Sequence, residues 1–242
     1  MINLFTNLRI HVEDVALSRS LRFAFYRLLH VINRRIHLPP GCFLGDIEDK
    51  CEIKLEGFLD PRQNLVFVDI GAKYGLWTLR LSKRCKKIHA FEPNPETISL
   101  LRKSIRKLNN AKIYPYALGD KKGTQKFFVH KKPGWSGLLK RNLDYEQTII
   151  VPVRTLDSFN FDTIDIIKID TEGYELPILK GGRKTIEREK PQLYIEIHEE
   201  EHKMPIIEFL KEVGYKYTLC HVESKRQPII ITDYKTAELI NY

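Results

Sequence analysis

Two apolar runs, each ending in an acidic residue, constrain the fold of this chain more than any other feature. Residues 66–75 read Val-Phe-Val-Asp-Ile-Gly-Ala-Lys-Tyr-Gly, and residues 89–94 read His-Ala-Phe-Glu-Pro-Asn. The first pattern predicts a buried strand that turns sharply into a helix at Gly71 and Gly75, and Glu92 closes the next strand. Ligands of open parallel sheets bind beyond the carboxyl ends of such strands. The two runs therefore predict a nucleotide-like cofactor site.

The spacing of the glycines indicates which cofactor this site would hold. Dinucleotide sites favour Gly-x-Gly-x-x-Gly, whereas this turn has Gly-x-x-x-Gly. Asp69 would repel a pyrophosphate but could accept a hydrogen bond from an ammonium group, and Glu92 could accept from ribose hydroxyls. S-adenosylmethionine has both groups and a cationic sulfonium, so we predict it as the cofactor. A tight turn with a purely structural role is the alternative.

The order of apolar segments predicts the fold class. Apolar strands alternate with amphipathic helices from Leu65 to His198, which predicts an α/β fold with a mostly parallel, doubly wound sheet. Residues 123–153 form a more β-like insertion, and residues 215–232 would complete the sheet as an antiparallel hairpin. We assign residues 61–242 to this Rossmann-like domain and residues 1–60 to an N-terminal helical extension with a lead-in segment.

Polar side chains concentrate at the ends of two further predicted strands. Lys168 and Asp170 alternate onto one side of a strand, and Glu172 follows in the turn. Glu196 and His198 likewise share one face at the end of the last core strand. Parallel strands bring their carboxyl ends to one edge, so we expect acid, base and lysine to converge there.

These side chains suggest two chemistries. In the first, His198 or Glu172 acts as general base, because histidine titrates near neutrality and Glu172 is placed by the turn, while Asp170 orients the acceptor or Lys168. In the second, Asp170, Glu196 and His198 bind a divalent metal ion that holds the acceptor hydroxyls. A buried polar network without catalytic function is a third interpretation. The loop at residues 131–137 either shapes the substrate pocket or merely connects strands.

Taken together, the motifs resemble those of the FkbM family of S-adenosylmethionine-dependent methyltransferases. The resemblance covers roughly residues 64–200 and depends on six motifs: Phe67–Gly75, Ala90–Pro95, Ala117–Asp120, Val153–Asp157, Ile167–Glu175 and Glu196–His198. It implies a Rossmann-like class I methyltransferase fold. It also implies O-methylation of a hydroxyl on a small-molecule, saccharide or glycan-like acceptor.

The resemblance also implies positions for the cofactor. Asp69 and the two glycines would lie along the methionine portion, Glu92 would hold the ribose, and Asp120 with Ala117 would lie near the adenine. The complete predicted cofactor-binding set is Asp69, Gly71, Ala72, Lys73, Gly75, Glu92, Pro93, Asn94, Ala117, Leu118, Asp120 and Asp170. The chain departs from the family at Lys73, where asparagine is usual, and this lysine adds positive charge near a sulfonium.

The net charge of +9 favours polyanionic partners without choosing among them. Residues 12–37 predict an amphipathic helix with an arginine-rich face, which would contact anionic membrane, cover the catalytic domain or form a homo-oligomer contact. RNA methylation is an alternative function, but Asp170-Thr-Glu-Gly stands where base methylation would use Asn-Pro-Pro-Tyr. That difference favours oxygen over base nitrogen. A non-catalytic binding protein that retains the fold is the other alternative.

Cysteine spacing and hydropathy bear on location. The four cysteines, Cys42, Cys51, Cys85 and Cys220, show no Cys-x-x-Cys pair, and no apolar run approaches the roughly 18 residues of a membrane span. The first ten residues lack the pattern of an export signal. We therefore expect a cytoplasmic protein, membrane-peripheral if residues 12–37 bind lipid.

Overall fold

The computed structural model describes residues 59–130, 135–141, 145–220 and 228–232. The predicted extension over residues 1–60 lies outside the described residues except for its last two positions. The amphipathic helix at 12–37 and its membrane contact are outside them as well, so these stay predictions. The same holds for the first four residues of the predicted loop at 131–137.

A seven-stranded sheet forms the centre of the described residues. Its strands are β1 (Leu65–Ile70), β2 (Cys85–Phe91), β3 (Ala111–Tyr114), β7 (Ile166–Ile169), β8 (Gln192–Glu196), β9 (Tyr217–Cys220) and β10 (Ile229–Thr232). Their order in the sheet is β3-β2-β1-β7-β8-β10-β9. The first five strands in this order pair in parallel, and β10 runs antiparallel to both β8 and β9. The predicted mostly parallel sheet is therefore confirmed, and its last two strands form the predicted antiparallel hairpin.

Helices cover both faces of this sheet. They are α1 (Leu76–Leu81), α2 (Pro95–Ile105), α3 (Glu175–Gly181), α4 (Arg183–Glu189) and α5 (Glu200–Glu212). Successive residues of β1 enter different apolar clusters, so Phe67 packs with Trp77 of α1 while Val68 packs with Ile178 of α3. All six residues of β1 are buried, and burial on both faces explains why five of them are apolar. None of the described helices is both long and apolar enough to cross a membrane.

Helix α5 contains a proline well past its first turn, although proline favours the first turn of a helix. The structure places Pro205 inside the helix, which begins at Glu200 and has Glu200 and Glu201 in its first turn. Acidic side chains there interact favourably with the helix dipole.

The predicted β-like insertion forms a second sheet of three strands in the order β4-β6-β5. Its strands are β4 (Ala117–Leu118), β5 (Gly123–His130) and β6 (Tyr145–Arg154), with a short 3-10 helix (Leu156–Phe159) after them. β5 and β6 form an antiparallel hairpin, and Gly137 from the connecting segment bridges back to Phe128. Its inward residues form an apolar cluster of their own.

The turn after β1 comes very close to the end of β7. Gly71 has a φ of 77°, and a Cβ atom at this position would lie 1.9 Å from the carbonyl oxygen of Asp170. A side chain at Gly71 would therefore need both a left-handed backbone and the separation of two paired strands.

We predict that Gly71→Ala lowers the free energy of unfolding by at least about 2 kcal/mol, because the added carbon meets backbone that cannot move alone. Urea denaturation measures the effect. Gly123→Ala is the matched control, since no atom lies within 4 Å of a Cβ built there. Equal effects of the two substitutions would contradict the prediction.

Candidate active site

An open cavity lies at the carboxyl ends of β1, β2 and β7, with about 720 Å³ of space including its mouth. The strand order reverses between β1 and β7, which is where open α/β sheets bind ligands. Several predicted site residues line this cavity together: Gly71, Lys73, Glu92, Pro93, Asn94, Ala117, Leu118, Asp170 and Glu172. The structure therefore brings motifs from four separate chain segments to one site.

Glu92 presents a buried carboxylate to this cavity. Its Oε2 accepts a hydrogen bond from the Lys73 backbone N–H and its Oε1 accepts one from that of Asn94, each at 3.0 Å. Burial raises the pKa of Glu92 to about 7, although these two N–H groups act to lower it. Asn94 also caps α2, because its side chain accepts from Glu96 N–H. Glu92 is thus held at a fixed place on the wall with oxygens that can accept from ligand hydroxyls.

Four predicted cofactor residues do not line the cavity, and their contact with a cofactor stays a prediction: Asp69, Ala72, Gly75 and Asp120. Gly75 begins α1 with a left-handed backbone. Ala72 packs into an apolar cluster with Leu101, and Asp120 is exposed.

Asp69 and Lys168 form a buried pair beneath the turn. They are register partners on β1 and β7, and Lys168 Nζ lies 3.6 Å from Asp69 Oδ1. Asp69 Oδ2 accepts from the Thr78 hydroxyl at 2.7 Å. Burial raises the pKa of Asp69 although Lys168 and Thr78 act to lower it. Lys168 also donates to the Gly71 carbonyl at 3.1 Å and lies 3.4 Å from Asp170 Oδ2, so it links the ends of the two strands.

Apolar residues form more of the cavity wall. Phe91 belongs to the second motif, whereas Tyr116, Phe127 and Leu138 were not indicated as site residues, and the Arg154 guanidinium lies 5.4 Å from the centre of the Tyr116 ring. The run Phe127-Phe128-Val129 marks an apolar part of β5, but three consecutive apolar residues do not show which side chain points inward. Leu138 lies in the segment between β5 and β6, where sequence periodicity is absent.

His198 lies at the centre of an acidic cluster beside the cavity. Its Nε2 is 3.5 Å from Asp170 Oδ1, 3.6 Å from Glu172 Oε1 and 3.7 Å from Glu196 Oε1. On the other side of the ring, Nδ1 lies 3.1 Å from Glu175 Oε1. Asp170 and Glu172 face the cavity, so the predicted convergence of acid and base occurs at its edge.

Glu175 and Arg141 belong to this cluster but were missed in the sequence. Glu175 Oε1 accepts from the Thr171 N–H, the Thr171 hydroxyl and the Gly173 N–H, which fixes the turn before α3. Glu175 ends the motif Ile167–Glu175, and this position in the motif could have indicated it. Arg141 Nη2 donates to Glu172 Oε2 at 2.7 Å, from a segment distant in sequence.

The expectation that His198 titrates near neutrality is wrong for this ligand-free arrangement. Burial acts to lower the pKa of His198, but the hydrogen bond to Glu175 and the charges of Asp170 and Glu172 outweigh it and raise the pKa to about 10. A ring that is already protonated cannot accept a proton at neutral pH. Burial raises the pKa of Glu172, although His198 and Arg141 act to lower it, which leaves Glu172 as the better proton acceptor.

Comparison with known proteins places this arrangement among methyltransferases. Residues 69–217, more than half of the chain, match the family model described as the methyltransferase FkbM domain. The chain is similar to the 2-O-methyltransferase NoeI of Sinorhizobium fredii, at 26% identity over 157 residues that are 56% of this chain and 64% of that protein. Its fold is similar to the crystal structure of methyltransferase FkbM from Methylobacillus flagellatus KT, with a TM-score of 0.57 and 21% identity, covering 72% of this chain and 45% of that one.

We predict that Glu92 makes stability pH-dependent in the ligand-free protein. The pKa of about 7 in the folded state exceeds the ordinary 4.5, so the stabilising effect of the bound proton is complete below pH 4.5 and is lost as the pH rises to 7. The loss, relative to Glu92→Gln, amounts to about 3 kcal/mol. Urea unfolding of both proteins at several pH values measures it, and a pH-independent difference would contradict it.

We predict that Lys73→Asn stabilises the protein by up to about 1 kcal/mol, because asparagine adopts the left-handed backbone more readily than lysine. Lys73 has a φ of 50° and holds Glu92 through its backbone N–H, which asparagine retains. Lys121→Asn removes the same charge from an exposed position outside the positive-φ residues and serves as control. Denaturation midpoints that rise equally in both variants would assign the gain to charge instead.

Proposed function

Because the chain belongs to the methyltransferase FkbM domain family, we propose that it is an S-adenosylmethionine-dependent O-methyltransferase acting on a hydroxyl of a saccharide or glycan-like acceptor. One observation carries the proposal. The cavity that presents the buried Glu92 carboxylate is also lined by Asp170 and Glu172 of the His198 cluster. A cofactor and an acceptor hydroxyl can therefore meet in one space.

The residues of the cavity fit the cofactor. Glu92 offers two buried oxygens for ribose hydroxyls, and Phe91 and Leu118 offer apolar surface for an adenine ring. At Gly71 the chain leaves no room for a side chain, so backbone itself forms the wall there. When bound, S-adenosylmethionine supplies a methyl group activated by a sulfonium.

The acidic side of the cavity fits the acceptor. In the transfer, the acceptor oxygen forms a bond to the methyl carbon while the carbon–sulfur bond breaks and its electron pair stays on sulfur. The hydroxyl proton must leave, and we assign Glu172 to receive it because Glu172 lines the cavity and its pKa is raised by burial. Arg141 holds the other oxygen of that carboxylate.

The similarity to NoeI, a 2-O-methyltransferase, supports oxygen as the methylated atom. The net charge of +9 favours an acidic glycan over a neutral one. A cytoplasmic location, a homo-oligomer and contact of residues 12–37 with anionic membrane are further parts of the proposal that come from the sequence alone.

The test combines cofactor binding with methyl transfer. Calorimetric titration with S-adenosylhomocysteine should show binding by the wild type and at least about tenfold weaker binding by Glu92→Ala, because two buried N–H groups and the ribose lose their acceptor. Incubation with methyl-labelled S-adenosylmethionine and a panel of neutral and acidic oligosaccharides should then give a label that is stable to alkali, as an ether is.

Glu187→Ala is the matched control for the binding step, since Glu187 is exposed on α4, where it forms an ion pair with Arg183. It should bind like the wild type. No binding by the wild type would overturn the cofactor assignment and support a non-catalytic protein. Binding with label on RNA rather than on any saccharide would overturn the acceptor assignment.

A further inference from the structure

The distances around His198 leave space for an ion. Within the described residues, Asp170, Glu196 and His198 each offer one ligand atom, and these atoms lie within 4.8 Å of one another. His198 Nε2 is 3.5 Å from Asp170 Oδ1 and 3.7 Å from Glu196 Oε1, beyond the usual range of about 2.7–3.2 Å for an N–H···O hydrogen bond. Ligands about 2.1 Å from a shared cation are separated by roughly 3–3.5 Å. The cluster needs only small shifts to reach that spacing.

The orientation of the His198 ring is an independent observation. Its side chain is 3% exposed, and its Nδ1 contacts Glu175 Oε1, which already accepts from Thr171 and Gly173. Because Glu175 Oε1 acts as an acceptor, Nδ1 keeps its hydrogen, and a cation that binds at Nε2 would displace the second proton of the ring and take the lone pair that faces the carboxylates. Histidines that bind metals show this carboxylate partner on their other nitrogen.

The charges of the cluster point the same way. Asp170, Glu172, Glu175 and Glu196 all lie within 3.7 Å of the His198 ring nitrogens. Lys168 contacts Asp170 and Arg141 contacts Glu172, and a divalent cation beside Nε2 would interact favourably with the carboxylates around it.

We propose that Asp170, Glu196 and His198 bind a divalent cation that holds the acceptor hydroxyl for methyl transfer. Oxygen-rich ligand sets suit Mg²⁺ and Mn²⁺, and the single imidazole favours Mn²⁺ of the two. Asp170 lines the cavity, so the cation would face the acceptor. A cation lowers the pKa of a hydroxyl bound to it, and Glu172 stands beside the site to receive the proton. This inference rests on the proposed function.

The first test measures Mn²⁺ binding without cofactor or acceptor. The purified full chain is stripped with chelator and titrated with Mn²⁺, and electron paramagnetic resonance reports the free ion. We expect one ion per wild-type chain, and His198→Gln and Glu196→Gln should each raise the dissociation constant at least about tenfold. Glu200→Gln is the control: it removes an equal charge from a side chain that is 76% exposed, and should bind like the wild type.

A second measurement guards against variants that fail to fold. Mn²⁺ should raise the melting temperature of the wild type and of Glu200→Gln, with a roughly logarithmic dependence on its concentration above the dissociation constant, and should leave that of Glu196→Gln unchanged. A wild type that binds no Mn²⁺ would overturn the metal site, as would full binding by both His198→Gln and Glu196→Gln. Calorimetry with S-adenosylhomocysteine separates the two proposals, because a protein that binds this ligand but no Mn²⁺ loses the metal site alone.

Discussion

The contact between the Gly71 turn and the Asp170 carbonyl determines where the functional groups of this protein lie. It joins the ends of β1 and β7 at the point where the strand order reverses. After Gly71 comes Lys73, whose backbone N–H donates to Glu92, and after Asp170 comes the turn that carries Glu172 and Glu175. Because both segments start from one close approach, it positions Glu92 and Glu172 relative to each other.

Two groups of buried charged residues support this contact. In the first, the Lys168 ammonium group contacts Asp69, the Gly71 carbonyl and Asp170, so a single cation links the carboxyl ends of β1 and β7. Glu175 holds the next turn through three hydrogen bonds and also positions His198. Asp170 and Glu172 therefore lie on backbone that Lys168 and Glu175 hold in place, and such a network of polar contacts favours a single geometry.

The sequence was informative where the fold imposes a local pattern. A strand buried on both faces is mostly apolar, and a turn with positive φ and no room for a Cβ atom requires glycine, so β1, Gly71 and the acidic strand ends were predictable. Tyr116 and Leu138, which line the cavity, and Arg141, which contacts Glu172, were not, because their positions depend on the pairing of distant segments. The charge state of His198 was also hidden, since it depends on Glu175 and Asp170 together rather than on the histidine itself.

The three-stranded sheet of the insertion has its own apolar cluster of Ala117, Phe127, Val129, Val151 and Val153. Its side chains pack largely with one another, while Phe127 and the following segment reach the cavity wall. The segment between its two long strands also supplies Arg141, which donates to Glu172, and Gly137, where a Cβ atom would lie 3.2 Å from the Thr171 carbonyl oxygen. A change in the length of this hairpin would therefore alter the cavity wall and the support of Glu172 together, so the shape of the cavity and the placement of this carboxylate cannot vary independently.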